Sequence, residues 1–184
     1  MKMFIDTTGD SFVLGLFDDN NYCIDSILIE NVPKKVDLLT SSTEKILKNN
    51  NIDINQISDF YLNLGPGYFT GVRISLVYVR TIALITGANI HTTSSMQLLQ
   101  KQLPTKPEFI INASGSKVYL YKNINKTFDP KNIEILDNDE LNFDVINYTD
   151  IINNFNKYIE LFTENDNLID IEPYYIKKPQ IGGK

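Results

Sequence analysis

The stretch DFYLNLGPGYFTGVRISLVYVRTIALITG, residues 59–87, decides how the rest of the chain is read. Phe60-Tyr61-Leu62-Asn63-Leu64 has the aromatic and aliphatic bias of a buried strand. Gly65-Pro66-Gly67 breaks it, because glycine takes positive φ while proline fixes its own. Thr70 is placed to cap a helix, and nothing interrupts the helical pattern until Gly87, a residue type favoured just past a helix end. Two readings of the glycine turn stand side by side. It could hold a phosphate on converging amides, or it could be a tight structural turn. The spacing is neither that of a dinucleotide-binding turn nor that of a Walker loop, and no lysine follows the last glycine.

The helix after the turn carries more apolar surface than one core needs. Val72, Leu76, Val79 and Ala83 make one stripe, and Ile74, Tyr78, Ile82 and Ile85 make a second. Arg73, Val77, Arg80 and Leu84 form a mixed third row. A helix on the outside of a domain needs one apolar face. The excess predicts either a central position or a second face that meets a partner.

Working outward, residues 3–7, 11–17 and 22–30 read as three strands, with turns at Gly9-Asp10 and at 18–21. Asp6, Thr7 and Thr8 end the first strand. In an actin-like ATPase such a turn touches phosphate and metal; the competing reading has Asp6 and Thr8 bonding their own backbone. A helix is expected over 33–50, a strand over 88–92 and a short helix over 94–102. Pro104 and Pro107 suit neither a helix interior nor a central strand, so 104–107 is expected to link a unit at 1–103 to one at 108–184. Beyond it, residues 108–113 and 117–124 read as a hairpin, 133–136 as a strand, 149–162 as a helix capped by Thr149, and 180–184 as a frayed end. Strands alternating with helices make the chain α/β.

Composition narrows the function. The 184 residues carry a net charge of −6, and a pI near 4.8 argues against a strong electrostatic grip on RNA or DNA by this chain alone. The single cysteine, Cys23, excludes an internal disulfide and reads as a buried strand thiol. The single histidine, His91, excludes a histidine pair for a metal within these residues and reads as structural. No apolar run approaches about 18 residues without charged or polar breaks, as a membrane span would, and the opening residues run directly into a strand rather than a leader. A soluble, cytoplasmic protein with no membrane contact is the expectation.

LGPGYFTGVR (64–73) resembles the signature of the TsaB (YeaZ-like) proteins, bacterial relatives of TsaD in the actin-like ATPase superfamily, where the run usually reads G-P-G-S-F-T-G-[LV]-R. Phe4-Ile5-Asp6-Thr7-Thr8 is similar to that family's opening I-D-T-S. The run 112–120, NASGSKVYL, is similar to its D-A-R-x-x-E-V-Y, and 173–177, PYYIK, to its closing P-x-Y-L-R. The resemblance spans nearly the whole chain. Its departures are Tyr68 for Ser, Asn112 and Ser114 for Asp and Arg, no histidine ahead of Leu38-Leu39 where the family often has one, and a short second half.

Such a resemblance implies an actin-like (ribonuclease H-like) fold of two half-domains, the second one shortened. It implies a non-catalytic partner that binds and activates a TsaD-type transferase in the threonylcarbamoyl modification of the tRNA adenosine beside the anticodon. No catalytic or metal-binding residue is then expected here, since TsaD holds its metal with a histidine pair. The alternatives are an actin-like ATPase or kinase acting alone, or a protease acting on TsaD. Members of the family pair through the first two helices of the amino-terminal half, here 33–50 and 70–87. The implied interface residues are Val36, Leu39, Thr43, Arg73, Val77 and Arg80. Asp6, Thr7, Gly65, Pro66 and Gly67 are the residues nearest any nucleotide. The chain is expected to require no cofactor, leaving open ATP or ADP at the interface with TsaD. A heterodimer with TsaD, a TsaE-type ATPase in the larger complex and a homodimer of the chain alone are the implied assemblies.

Overall fold

The computed structural model describes residues 1–123, 127–138 and 142–176. The expected fraying of 180–184, the end of the 117–124 strand and Lys177 of the closing motif lie outside them. A six-stranded mixed sheet runs in the order β3 (Cys23–Ile29), β2 (Phe12–Phe17), β1 (Lys2–Asp6), β4 (Asp59–Asn63), β5 (Asn89–Thr93), β9 (Thr163–Glu164). β1, β4 and β5 are parallel, while β2, β3 and β9 join antiparallel. β6 (Glu108–Asn112), β7 (Lys117–Lys122) and β8 (Ile133–Asp137) form a second, antiparallel sheet. The strands read from the sequence are all present, and the mixed α/β architecture is as expected.

Period-two patterning sets what each face of the large sheet meets. Met3, Ile5, Leu14, Phe60 and Leu62 point to one side, under Leu39 and Ile46 of α1 (Val36–Asn49) and Leu76, Val79 and Ala83 of α2 (Phe69–Thr86). Phe4, Val13, Phe17 and Tyr61 point to the other, under Ile151 of α4 (Tyr148–Asn153), Phe155 of α5 (Phe155–Tyr158) and Phe162. Phe17 and Phe155 stack with ring centroids 4.1 Å apart. Burying each such ring stabilises the fold by about 2–3 kcal/mol. α3 (Ser95–Gln102) serves two cores at once: Leu98 joins the second face of the large sheet, while Met96 and Leu99 pack on Phe109, Tyr119 and Tyr121 of the small one.

Several local expectations are corrected. Residues 149–162 do not form one helix. Asn147, not Thr149, is the N-cap, its side chain accepting from the Asp150 N–H, and the helix breaks at Asn154. α2 begins at Phe69 after Tyr68, which gives no side-chain cap, so Thr70 lies inside the first turn. Gly87 does close α2 in the left-handed region, at φ 76°. Cys23 is exposed, because β3 is the edge strand of the sheet.

α2 is the one helix among the described residues long and apolar enough, by length and composition, to cross a membrane. Its Val72, Leu76, Val79 and Ala83 stripe is buried against the sheet.

Candidate functional site

The turn from β4 into α2 lies directly on the end of β1. Asn63 Oδ1 accepts from the Gly65 N–H at 2.9 Å and starts the turn, which continues through a cis Gly65–Pro66 bond. The Tyr68 N–H donates to Thr8 O at 2.7 Å, and Thr7 Oγ1 donates to Gly71 O at 2.6 Å. A Cβ at Gly67 would stand 2.4 Å from Thr8 O, and one at Gly71 would stand 2.1 Å from Thr7 O. Glycine is required at both places by the closeness of two main chains. On the side facing β1, the room a phosphate would need against this turn is taken by the backbone of Thr7 and Thr8. On the other side, Gly67, Thr70 and Gly71 line a cavity.

Asp6 is fully buried beside it. Its Oδ1 accepts from the N–H and Oγ1 of Thr8, at 2.8 and 2.7 Å. Its Oδ2 accepts from Asn63 Nδ2 at 2.7 Å and from the Tyr148 hydroxyl at 2.9 Å. Asn63 Nδ2 also reaches Ser95 Oγ at 2.9 Å. The carboxylate thus has two donors at each oxygen. Burial pushes its pKa up, against the hydrogen bonds from Thr8, Asn63 and Tyr148, which pull it down. Burial, and then the neighbouring Asp6, raise the Tyr148 phenol well above its usual value. Asp6 and Thr8 therefore make the local backbone bond of an Asx turn, inside a closed network that leaves the carboxylate no free lone pair directed at solvent.

On the far side of Tyr68 lies a cavity of about 610 Å³, bounded by Lys35, Tyr68, Thr70, Ala113, Tyr119 and Tyr175. Its size is in the range of a small-molecule site. Lys35 is mostly buried; its Nζ donates to Gly9 O at 2.6 Å and lies 5.6 Å from the Tyr68 ring centre. Burial lowers the pKa of that ammonium.

The six expected interface residues separate into two groups. Leu39 and Thr43 are 3% and 1% exposed. They sit on the inward face of α1 with Ser42 and Ile46, and Thr43 Oγ1 donates to Leu39 O. They are core residues, and their expected place on an open docking face is corrected. Arg80 is half-buried, and its guanidinium donates to Ile171 O, tying down the segment after the last strand. Val36 and Val77 are 56% and 59% exposed. Arg73 is exposed and lies over the Phe69 ring, 4.9 Å from its centre. Leu84 and Ile85, at 60% and 79% exposure, extend the same open side of α2. His91 is a structural residue, bonded through Nε2 to Asp59 Oδ1 at 2.8 Å and stacked on Tyr61.

Sequence reading missed three participants. Tyr148 closes the Asp6 site from 142 residues away, and Ser95 from α3. Asn112 Nδ2 meets the Tyr68 hydroxyl, which itself donates to Asp10. No local pattern announces contacts of this range; only the unusual identity of Tyr68 and Asn112 against the family motif hinted at the last.

Comparison with known proteins gives the fold a place. The model of the family described as TsaD, tRNA N6-adenosine threonylcarbamoyltransferase, matches residues 34–144. The uncharacterized protein MG208 homolog of Mycoplasma pneumoniae is 31% identical over 81 residues, which are 44% of this chain and 41% of that relative's length. YeaZ from Pseudomonas aeruginosa superposes with a TM-score of 0.56 at 17% identity, over 73% of this chain and 63% of that one. A protein with similarity to peptidase YeaZ, from the same organism, gives 0.57 at 16% identity, over 78% and 69%. At these identities the structural matches establish the actin-like, ribonuclease H-like fold.

Proposed function

Because the chain belongs to the TsaD family, described as tRNA N6-adenosine threonylcarbamoyltransferase, we propose that it works in the threonylcarbamoyl modification of tRNA, as a non-catalytic partner that binds and activates a TsaD-type transferase. The observation that carries this reading is the open side of α2. Val77, Leu84 and Ile85 stand in solvent on a helix whose other side already fills the core. The helix contributes two arginines and no carboxylate to a chain of net charge −6. The partner surface that fits it is apolar and carries carboxylates opposite Arg73. With Val36 at the start of α1, two helices from each side could build an interface of standard size, about 1,600 Å² in total.

The polar centre supports the same reading. Asp6 is the carboxylate an actin-like ATPase would turn toward phosphate and metal, and here it is consumed by Thr8, Asn63 and Tyr148. The sequence holds one histidine, so these residues offer no metal-binding histidine pair, and among the described residues the hydrogen-bond partner of the His91 ring is Asp59, with no serine to complete a Ser-His-Asp arrangement. In this proposal the protein is cytoplasmic and needs no cofactor of its own. Any ATP or ADP lies at the interface with the transferase, a TsaE-type ATPase joins the larger complex, and the same α2 face pairs two copies when the transferase is absent.

Co-expression with the cognate TsaD-type protein, size-exclusion chromatography and a tRNA threonylcarbamoylation assay test the proposal together. A single co-eluting complex that modifies tRNA, where neither chain does so alone, is the expected result. Two independently eluting proteins that never modify tRNA together would end it. ATP hydrolysis by the isolated chain, reduced by Asp6→Ala, would favour the ATPase reading instead.

A further inference from the structure

Two positions at which this chain departs from the family motif touch each other. Tyr68 stands where the motif has serine, and Asn112 stands where it has aspartate. Tyr68 belongs to the turn that leads from the large sheet into α2, and Asn112 ends the first strand of the small sheet. The Tyr68 hydroxyl donates to Asp10 Oδ1 at 2.6 Å and receives Asn112 Nδ2 at 3.1 Å. Asp10 lies in the turn between β1 and β2. One phenol therefore joins three places: the β1–β2 turn, the β4–α2 turn and the edge of the other sheet.

The donor count explains why Tyr68 and Asn112 suit each other in this chain. A phenol has one hydrogen, and Asp10 takes it; what remains on the oxygen is a lone pair, which needs a donor. The Asn112 amide supplies one. Its orientation is fixed independently, because Asn112 Oδ1 accepts from the Ser114 N–H at 2.8 Å and leaves the NH₂ facing Tyr68. An aspartate at 112 could keep the Ser114 bond but would present a second oxygen to the phenol, with no proton between them, and would add an anion near Asp10. A serine at 68 would be too short to span the same gap. Burial, followed by the bond to Asp10, pushes the Tyr68 phenol up to about 12, so it remains a donor throughout the neutral range.

We infer that Tyr68 and Asn112 are two halves of one latch that holds the small sheet against the β4–α2 turn, beside the 610 Å³ cavity that Tyr68 lines. The latch depends on this chain alone and is independent of any partner.

Hydrogen exchange of the full chain, read by mass spectrometry over residues 108–122, tests it with Asn112→Asp, Tyr68→Ser and the double variant. Losing one satisfied hydrogen bond should speed exchange of the β6–β7 amides about fivefold in each single variant. The double variant should exchange no faster than Tyr68→Ser alone, because a serine at 68 leaves the aspartate nothing to oppose. Amides of β1 and β4 should keep their protection, which separates latch loss from global loosening. Tyr68→Phe, which removes only the oxygen, repeats the cycle if the serine variant does not fold. Unchanged exchange in Asn112→Asp, or single effects that multiply to about 25-fold in the double variant, would overturn the latch.

Discussion

The two sides of α2 invert the usual placement of polar and apolar groups. Toward β1, the start of the helix adjoins a sealed polar centre, where Asp6, Asn63 and Ser95 are fully or almost fully buried and bonded to one another or to Tyr148. On its outer side the helix offers valine, leucine and isoleucine to water. A buried carboxylate is costly unless its acceptor sites are filled, and an exposed apolar row gains nothing until something covers it. The comparison teaches where to look for activity. The Asp6 carboxylate is spent on holding the fold, whereas Val77, Leu84 and Ile85 are left free for contact.

The largest effect should come from breaking the sealed side. Asp6→Ala leaves Asn63, Thr8 and Tyr148 donors without an acceptor in a dry site and should cost about 3 kcal/mol in urea unfolding; a cost below about 1 kcal/mol would mean that water reaches the centre. Breaking the open side should cost no stability. Val77→Asp and Leu84→Asp should each weaken binding to the transferase at least tenfold, about 1.4 kcal/mol, while unfolding of the isolated chain moves by no more than about 0.5 kcal/mol. Isothermal titration beside a urea melt separates the two, and an unfolding shift larger than the binding loss would return these residues to the core. The smallest effect concerns protons. Burial raises the pKa of Asp6 from its ordinary 3.8, so the folded state holds more protons than the unfolded chain just above that pH. The stability this group contributes is complete below about pH 3.8 and is lost as pH rises through its raised value. Asp6→Asn cannot lose it, so the stability of the variant relative to the parent should climb with pH from about 4; a flat difference would show that the hydrogen bonds cancel burial, and a falling one that they outweigh it.

Much of the fold was legible because it is written locally. The short apolar run Phe12–Phe17 between turn residues and the 3.6-residue stripe Val72, Leu76, Val79, Ala83 each identify their element without knowledge of the rest. The excess of α2 was legible for the same reason. Two interface residues were misplaced although the signal was there: Leu39, Thr43 and Ile46 share the spacing of a single stripe on α1, and one buried member implies the others. The exposure of Cys23 depends on β3 being an edge strand, which is a property of sheet order and not of its own neighbours. The closure of Asp6 by Tyr148 joins residues 142 positions apart and has no local trace at all.

The covering of the large sheet has a consequence for how the chain is made. One face is closed early, by helices that follow their strands within a few dozen residues. The other carries Phe4, Val13, Phe17 and Tyr61 and waits for Ile151, Phe155 and Phe162. On the ribosome, a chain synthesised as far as β8 would hold a complete five-stranded platform with one aromatic face bare. Contacts of such long sequence separation form late, and surfaces left open in the interval are prone to association. The helices at 148–158 act as a final lid on the nascent sheet, so demand for chaperones should peak just before they emerge.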